Sequence, residues 1–135
     1  MYILDTDISI YTIQGKFDLR KKILQAKYYN CLLSEITLAE LLVGVETSQF
    51  REENLAPTES FIKKFQTLNI SSIIPSYAKE KARLKRSGII IPDFDILIGV
   101  AAVFFDFILV TNNEKHFSKI EDIKLENWTK THPPL

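Results

Sequence analysis

A single cysteine, Cys31, among 135 residues excludes an intrachain disulfide and fits a reducing compartment. Its place inside an apolar run makes it a core residue rather than a nucleophile. There is no basic excess either. The 17 Lys and Arg balance 17 Asp and Glu, so no overall field announces a nucleic-acid partner, and any such binding has to come from local patches. Long hydrophobic runs are also missing. Asp5 and Asp7 interrupt the N-terminal apolar run before it reaches signal-peptide length, and no later run approaches the ~20 residues of a membrane span. These absences predict a cytoplasmic chain with no membrane segment. No internal repeat, linker or low-complexity stretch divides the chain. With 46% hydrophobic and 25% charged residues, the composition is that of one globular domain over residues 1–135.

What is present begins with Met1-Tyr2-Ile3-Leu4, an apolar run that fits a strand buried on both faces and that ends in Asp5 and Asp7. Helices are predicted over 8–14, stopped by Gly15, and over 17–29, with Arg20, Lys21, Lys22 and Lys27 on its wet side. Cys31-Leu32-Leu33 reads as a short strand. A helix over 36–46 follows, then a loop over 47–56, then a helix over 57–68 opened by Pro57. Residues 70–74 are a third strand candidate. The basic segment from Pro75 to Ser87 reads as a helix stopped by Gly88, and 93–105 as a helix apolar nearly all round. Strands at 107–110 and 123–125 precede a tail with Trp128 and two prolines. Alternating strands and helices predict a parallel α/β sandwich.

Acids or amides recur where this pattern meets one edge of the sheet: Asp5, Glu40, the pair Asp93 and Asp95, and Asn113. Each has a structural explanation. Asp5 or Asp7 could cap a helix, Thr37-Leu38-Ala39-Glu40 matches a capping box, and Asp93 and Asp95 suit a helix N-terminus. Asp5 and Asn113 nevertheless end strands, and Glu40 and the Asp pair begin helices that right-handed crossovers would start from the same edge, so all converge. Two unit charges about 4 Å apart repel by roughly 4 kcal/mol at an effective dielectric near 20, so such a cleft calls for a cation. No cysteine or histidine belongs to the pattern. The hard oxygen donors suit Mg²⁺, with Mn²⁺ as a substitute, rather than zinc, and such ions act on phosphates.

Leu4-Asp5-Thr6-Asp7, Ser34-Glu35-Ile36-Thr37-Leu38-Ala39-Glu40-Leu41, Pro92-Asp93-Phe94-Asp95-Ile96-Leu97-Ile98 and Leu109-Val110-Thr111-Asn112-Asn113 with Phe117 together resemble the successive motifs of PIN-domain ribonucleases. Within that family they resemble the VapC toxins of bacterial toxin–antitoxin pairs. The late Glu126-Asn127-Trp128 extends the resemblance over essentially the whole chain. It implies a PIN-like (Rossmann-like) three-layer sandwich with a central, mainly parallel sheet of four to five strands. It also implies a Mg²⁺-dependent endoribonuclease acting on RNA, with tRNA as a candidate substrate, usually a homodimer, held inactive by a VapB-type antitoxin whose C-terminal segment covers the acidic cleft and through which alone it would meet DNA. Asp5, Glu40 and Asp95 match the family's metal-binding acids, and Asp93 a position that often adds a carboxylate or amide. Thr6 and Thr111 match supporting hydroxyls. Asp7 stands where asparagine is common, and Asn113 where many members carry a fourth acid; Glu114 is a candidate replacement.

Three rivals use similar features. A strand ending in Asp-x-Asp resembles the haloacid-dehalogenase phosphatases, but Lys115 lies too close to Thr111 for that pattern and Glu40 is left unexplained. A receiver-like switch would need an acceptor aspartate after the third strand, which Ile73-Ile74-Pro75-Ser76 does not supply. A PIN-like RNA-binding domain without activity is suggested by Asn113 alone.

Overall fold

In the computed structural model, which describes residues 1–130, the N-terminal run becomes β1 (Tyr2–Leu4) at the centre of a five-stranded sheet. It is joined by β2 (Cys31–Ser34), β3 (Gln66–Leu68), β4 (Ile108–Val110) and β5 (Leu125–Glu126) in the order β3-β2-β1-β4-β5, all pairs parallel. Tyr2 faces Cys31 on one side and Ile108 on the other. Successive side chains of a strand point to opposite faces, so consecutive apolar residues must enter different cores. Ile3 and Leu109 pack with one cluster, Leu4, Leu33 and Val110 with the other. Both faces are therefore covered, as a parallel sheet requires.

The Leu4 face carries α1 (Thr6–Ile13), α2 (Leu19–Ala26), α3 (Glu35–Glu46) and α4 (Arg51–Ile62). The Ile3 face carries α5 (Ile74–Arg86), α6 (Asp93–Phe104) and the one-turn α7 (Glu114–Phe117). Helices on both faces make the expected three-layer α/β sandwich. Strand order runs outward from β1 to β3 and then returns to β4 beside β1. The reversal falls between β1 and β4, so the crevice beyond their carboxyl ends is the place this topology opens for a ligand.

Several boundaries differ from expectation. The 47–56 loop is half helix: α4 begins at Arg51 and holds Pro57 in its interior rather than at its start. Glu52 and Glu53 favour the first turn through the macrodipole, and buried Thr58 and Phe61 anchor the helix beyond the proline. The third strand is Gln66–Leu68, upstream of 70–74, where Ile73 instead enters the core from a 3₁₀ turn leading into α5. An exposed edge strand of this kind has little apolar signal to read. The helix expected over 17–29 is confined to α2, because Phe17, Asp18 and Lys27 adopt left-handed backbone angles at its two ends. Helix α7 was not expected. Cys31 is buried, which pushes its thiol up to about 12 and leaves it unreactive, as expected. The two prolines of the tail lie outside the described residues. Among those residues no helix is long and apolar enough to cross a membrane.

Candidate active site

Asp5 is the first residue after β1 and the N-cap of α1. Its Oδ1 accepts the Thr6 backbone N–H at 2.7 Å, and its Oδ2 accepts the hydroxyl of Thr111, the first residue after β4, at 2.8 Å. The Thr111 hydroxyl in turn accepts the Asn113 N–H at 2.9 Å. Asp5 thus caps α1, and its bonds also tie together the two strand ends that flank the crevice. Only 5% of Asp5 is exposed. Burial first, then the charge of Asp7, push its carboxyl up from 3.8 to about 8 against the hydrogen bonds of Thr111 and Thr6.

Asp7 belongs to the same group, a role its reading as a mere departure from the family pattern did not anticipate. Burial raises its pKa as well, although the N–H groups of Ile8 and Asn112 favour its charged form, and it feels the charge of Asp95. Glu40 enters from α3. The capping-box reading fails here: Ser34, not Thr37, is the N-cap, its hydroxyl accepting the Thr37 N–H at 3.1 Å. Glu40 is thereby free to turn inward, and its Oε1 accepts the Thr6 hydroxyl at 2.6 Å, with Thr37 Oγ1 3.1 Å from the same hydroxyl. The support expected of Thr6 and Thr111 is visible as these bonds.

Asp95 lies in the first turn of α6, and its Oδ2 is 3.2 Å from Nδ1 of His116. Asn113, the N-cap of α7, places its amide 2.9 Å from the same nitrogen. A histidine therefore does stand beside the acids, contrary to the sequence expectation. Its only signal was the three-residue spacing from Asn113, which became meaningful once α7 was seen. Asp93 points elsewhere. It accepts the Tyr77 hydroxyl at 2.8 Å and Lys81 Nζ at 2.7 Å from α5, bonds that hold its carboxyl below the usual range. Asp93 makes no bond to the other acids. Glu114 is likewise turned away, onto Asn127 and Lys130, so it does not replace a fourth acid.

The structure thus connects Asp5, Asp7, Glu40, Asp95 and, through His116, Asn113. Among the described residues no Lys or Arg pairs with Asp5, Asp7, Glu40 or Asp95. One buried carboxylate, Asp5, beside the half-buried Asp7, Glu40 and Asp95 makes a group of oxygen donors whose charge a hard dication would compensate. Among the described residues no group of three or more Asp, Glu, His or Cys side chains is arranged to hold an ion by itself. A dication that keeps part of its water shell needs only one or two carboxylates, so the residues fit such an ion. The phosphatase rival leaves the Thr6–Glu40 connection without a role.

Comparison with known proteins places the chain in a family. The PIN-domain family profile matches residues 2–123. Ribonuclease VapC2 of Rickettsia felis is 35% identical over 133 residues, covering 96% of this chain and 99% of its own. The tRNA(fMet)-specific endonuclease VapC of Shigella flexneri is 31% identical over 129 residues, covering 95% and 98%. Among solved structures, that of VapBC2 from Rickettsia felis bound to a DNA fragment from its promoter superposes with a TM-score of 0.86 at 33% identity, over 94% of this chain and 98% of that one. By sequence and topology, the chain belongs to the PIN-domain family, among the VapC ribonucleases.

Proposed function

We propose that this chain is a Mg²⁺-dependent endoribonuclease, the toxin of a cytoplasmic toxin–antitoxin pair. The observation that carries the reading is the carboxyl of Asp5, buried at the switch point beside Asp7 and linked through Thr6 to Glu40, with no Lys or Arg among the described residues paired to it. Asp5, Glu40 and Asp95 hold the ion, and Asn113 supports it. When bound, the ion neutralises the cluster, polarises a phosphoryl oxygen and activates water. The protein's part is orientation: Thr111 and the Thr6 N–H fix both oxygens of Asp5, and the Thr6 hydroxyl fixes Glu40. Asp93 joins the ligand set only when its bonds to Tyr77 and Lys81 open.

RNA is drawn in by cations beside the cleft rather than by the acids. On α5, Lys81 is paired with Asp93, and Arg83 is committed to Glu80 and Glu121. On α2, Lys22 is buried against the Trp128 carbonyl and so is not available. The substrate resembles that of the relative named a tRNA(fMet)-specific endonuclease: a tRNA, whose single-stranded loop offers an accessible phosphodiester. The antitoxin segment follows a groove of about 260 Å³ lined by Ile10, Ile13, Leu41 and Val45 that reaches Glu40, and a basic residue on it would neutralise the acids. The toxin is a homodimer that meets DNA only through the antitoxin.

The test is cleavage of total RNA by the antitoxin-free protein, with Mg²⁺ and with a chelator, and sequencing of the new ends. New ends confined to one RNA class, absent with chelator, are expected. Cleavage undiminished by chelation would refute the metal-dependent reading.

A further inference from the structure

His116 stands between two site residues that come from different elements. Its Nδ1 is 3.2 Å from Asp95 Oδ2 and 2.9 Å from the Asn113 amide. A ring nitrogen carries either one proton or one lone pair, so Nδ1 cannot accept from an amide N–H and donate to a carboxylate at once. The ionised carboxylate only accepts. The bonding is satisfied when the proton is on Nδ1 and the Asn113 amide is turned by 180° to present its oxygen, an exchange that leaves the heavy atoms in place. Among the described residues Nε2 has no hydrogen-bond partner.

The position of the ring is built into the fold. Phe117, the next residue, is fully buried in the α6 core. Gly99 lies one helical turn after Asp95, on the same face of α6. A Cβ there would sit 2.3 Å from Ile120 Cδ1 and 3.3 Å from Phe117 Cδ1. The missing side chain lets the α7 segment approach α6 closely enough for His116 to reach Asp95.

We propose that His116 is a positioning residue, holding Asp95 through Nδ1–H so that Oδ1 of that carboxylate stays free for the dication. The inference rests on the reading of Asp95 as a ligand. It also gives Asn113 a role without a fourth acid: its amide fixes the imidazole rather than binding the ion. Groups that orient ligands in this way change metal affinity by ~10–100-fold when removed.

The test is a Mn²⁺ titration of the purified antitoxin-free protein, followed by loss of the free-ion EPR signal, in parallel with RNA cleavage. Asparagine can place its amide N–H near Nδ1, and glutamine near Nε2. H116A is expected to weaken Mn²⁺ binding at least tenfold, H116N to remain within a few-fold of wild type, and H116Q to behave as H116A. Equal affinity of H116A and wild type, or rescue by H116Q rather than H116N, would overturn the proposal. Because N and Q variants are compared with each other, a general loss of packing cannot imitate the expected pattern. A wild type that binds Mn²⁺ with this pattern but cuts no RNA would defeat the ribonuclease reading and support the positioning role.

Discussion

Burial holds the Asp5 carboxyl well above its ordinary pKa, and the consequence is a measurable pH dependence. Its folded pKa is raised from 3.8 to about 8, so between those values the folded state holds a proton that the unfolded chain releases. This contribution to stability is complete below about pH 4 and is lost as pH rises through about 8. In chelator, the melting temperature of wild type relative to D5N should therefore fall across that window, and added divalent ion should oppose the fall. A difference that does not change with pH would show that the Asp5 carboxyl is not shifted in this way. Asp93 provides the contrast at the same scale. Because Lys81 and Tyr77 already satisfy it, D93N should lower cleavage by far less than D5N; equal loss in the two variants would place Asp93 in the ligand set from the start.

At the scale of elements, the packing of α6 against α7 is set by Gly99. Alanine there meets the end of the Ile120 side chain, which can turn only at some cost, so G99A should destabilise the fold by about 1–3 kcal/mol and weaken Mn²⁺ binding together. Loss of stability with unchanged Mn²⁺ affinity would separate Gly99 from the site. The elements also show what could be read in advance. Strands β1, β2 and β4 and helices α3 and α6 were legible because burial on one or both faces leaves an apolar pattern, and α5 because Pro75 and Gly88 mark its two ends. Asp5 follows β1 and Asp95 opens α6, so both were marked by element boundaries, whereas Glu40 lies in the middle of α3 and was singled out by its spacing from Thr37 and by the family resemblance. The start of α4 and the position of β3 were not, since Pro57 resembles a helix opening and β3 is a short exposed edge. His116 was hidden for a related reason: α7 is a single turn, too short to show a period, and only the tertiary approach of α6 gives the imidazole its neighbour.

For the whole molecule, the large apolar side chains of α3 and of the segment from α4 to β3 divide in two. Phe61 and Phe65 are buried, their rings 4.8 Å apart, and belong to the core of the Leu4 face. Leu42 and Val43 remain exposed on α3. If α3 supplies the interface, L42D should give a 15.6 kDa species in sedimentation at micromolar concentration, where wild type sediments at twice that mass; an unchanged dimer would move the interface elsewhere.

The central claim, that the carboxylates at the β1–β4 crevice perform RNA hydrolysis rather than merely shape the chain, is tested most directly by one measurement. D5N, E40Q and D95N would be assayed for metal-dependent RNA cleavage beside their chelated melting temperatures. Each variant should lose cleavage by orders of magnitude while melting no lower than wild type near pH 8, because each removes a carboxylate charge from the group. Variants that melt markedly lower yet retain cleavage in proportion to the folded fraction would contradict it.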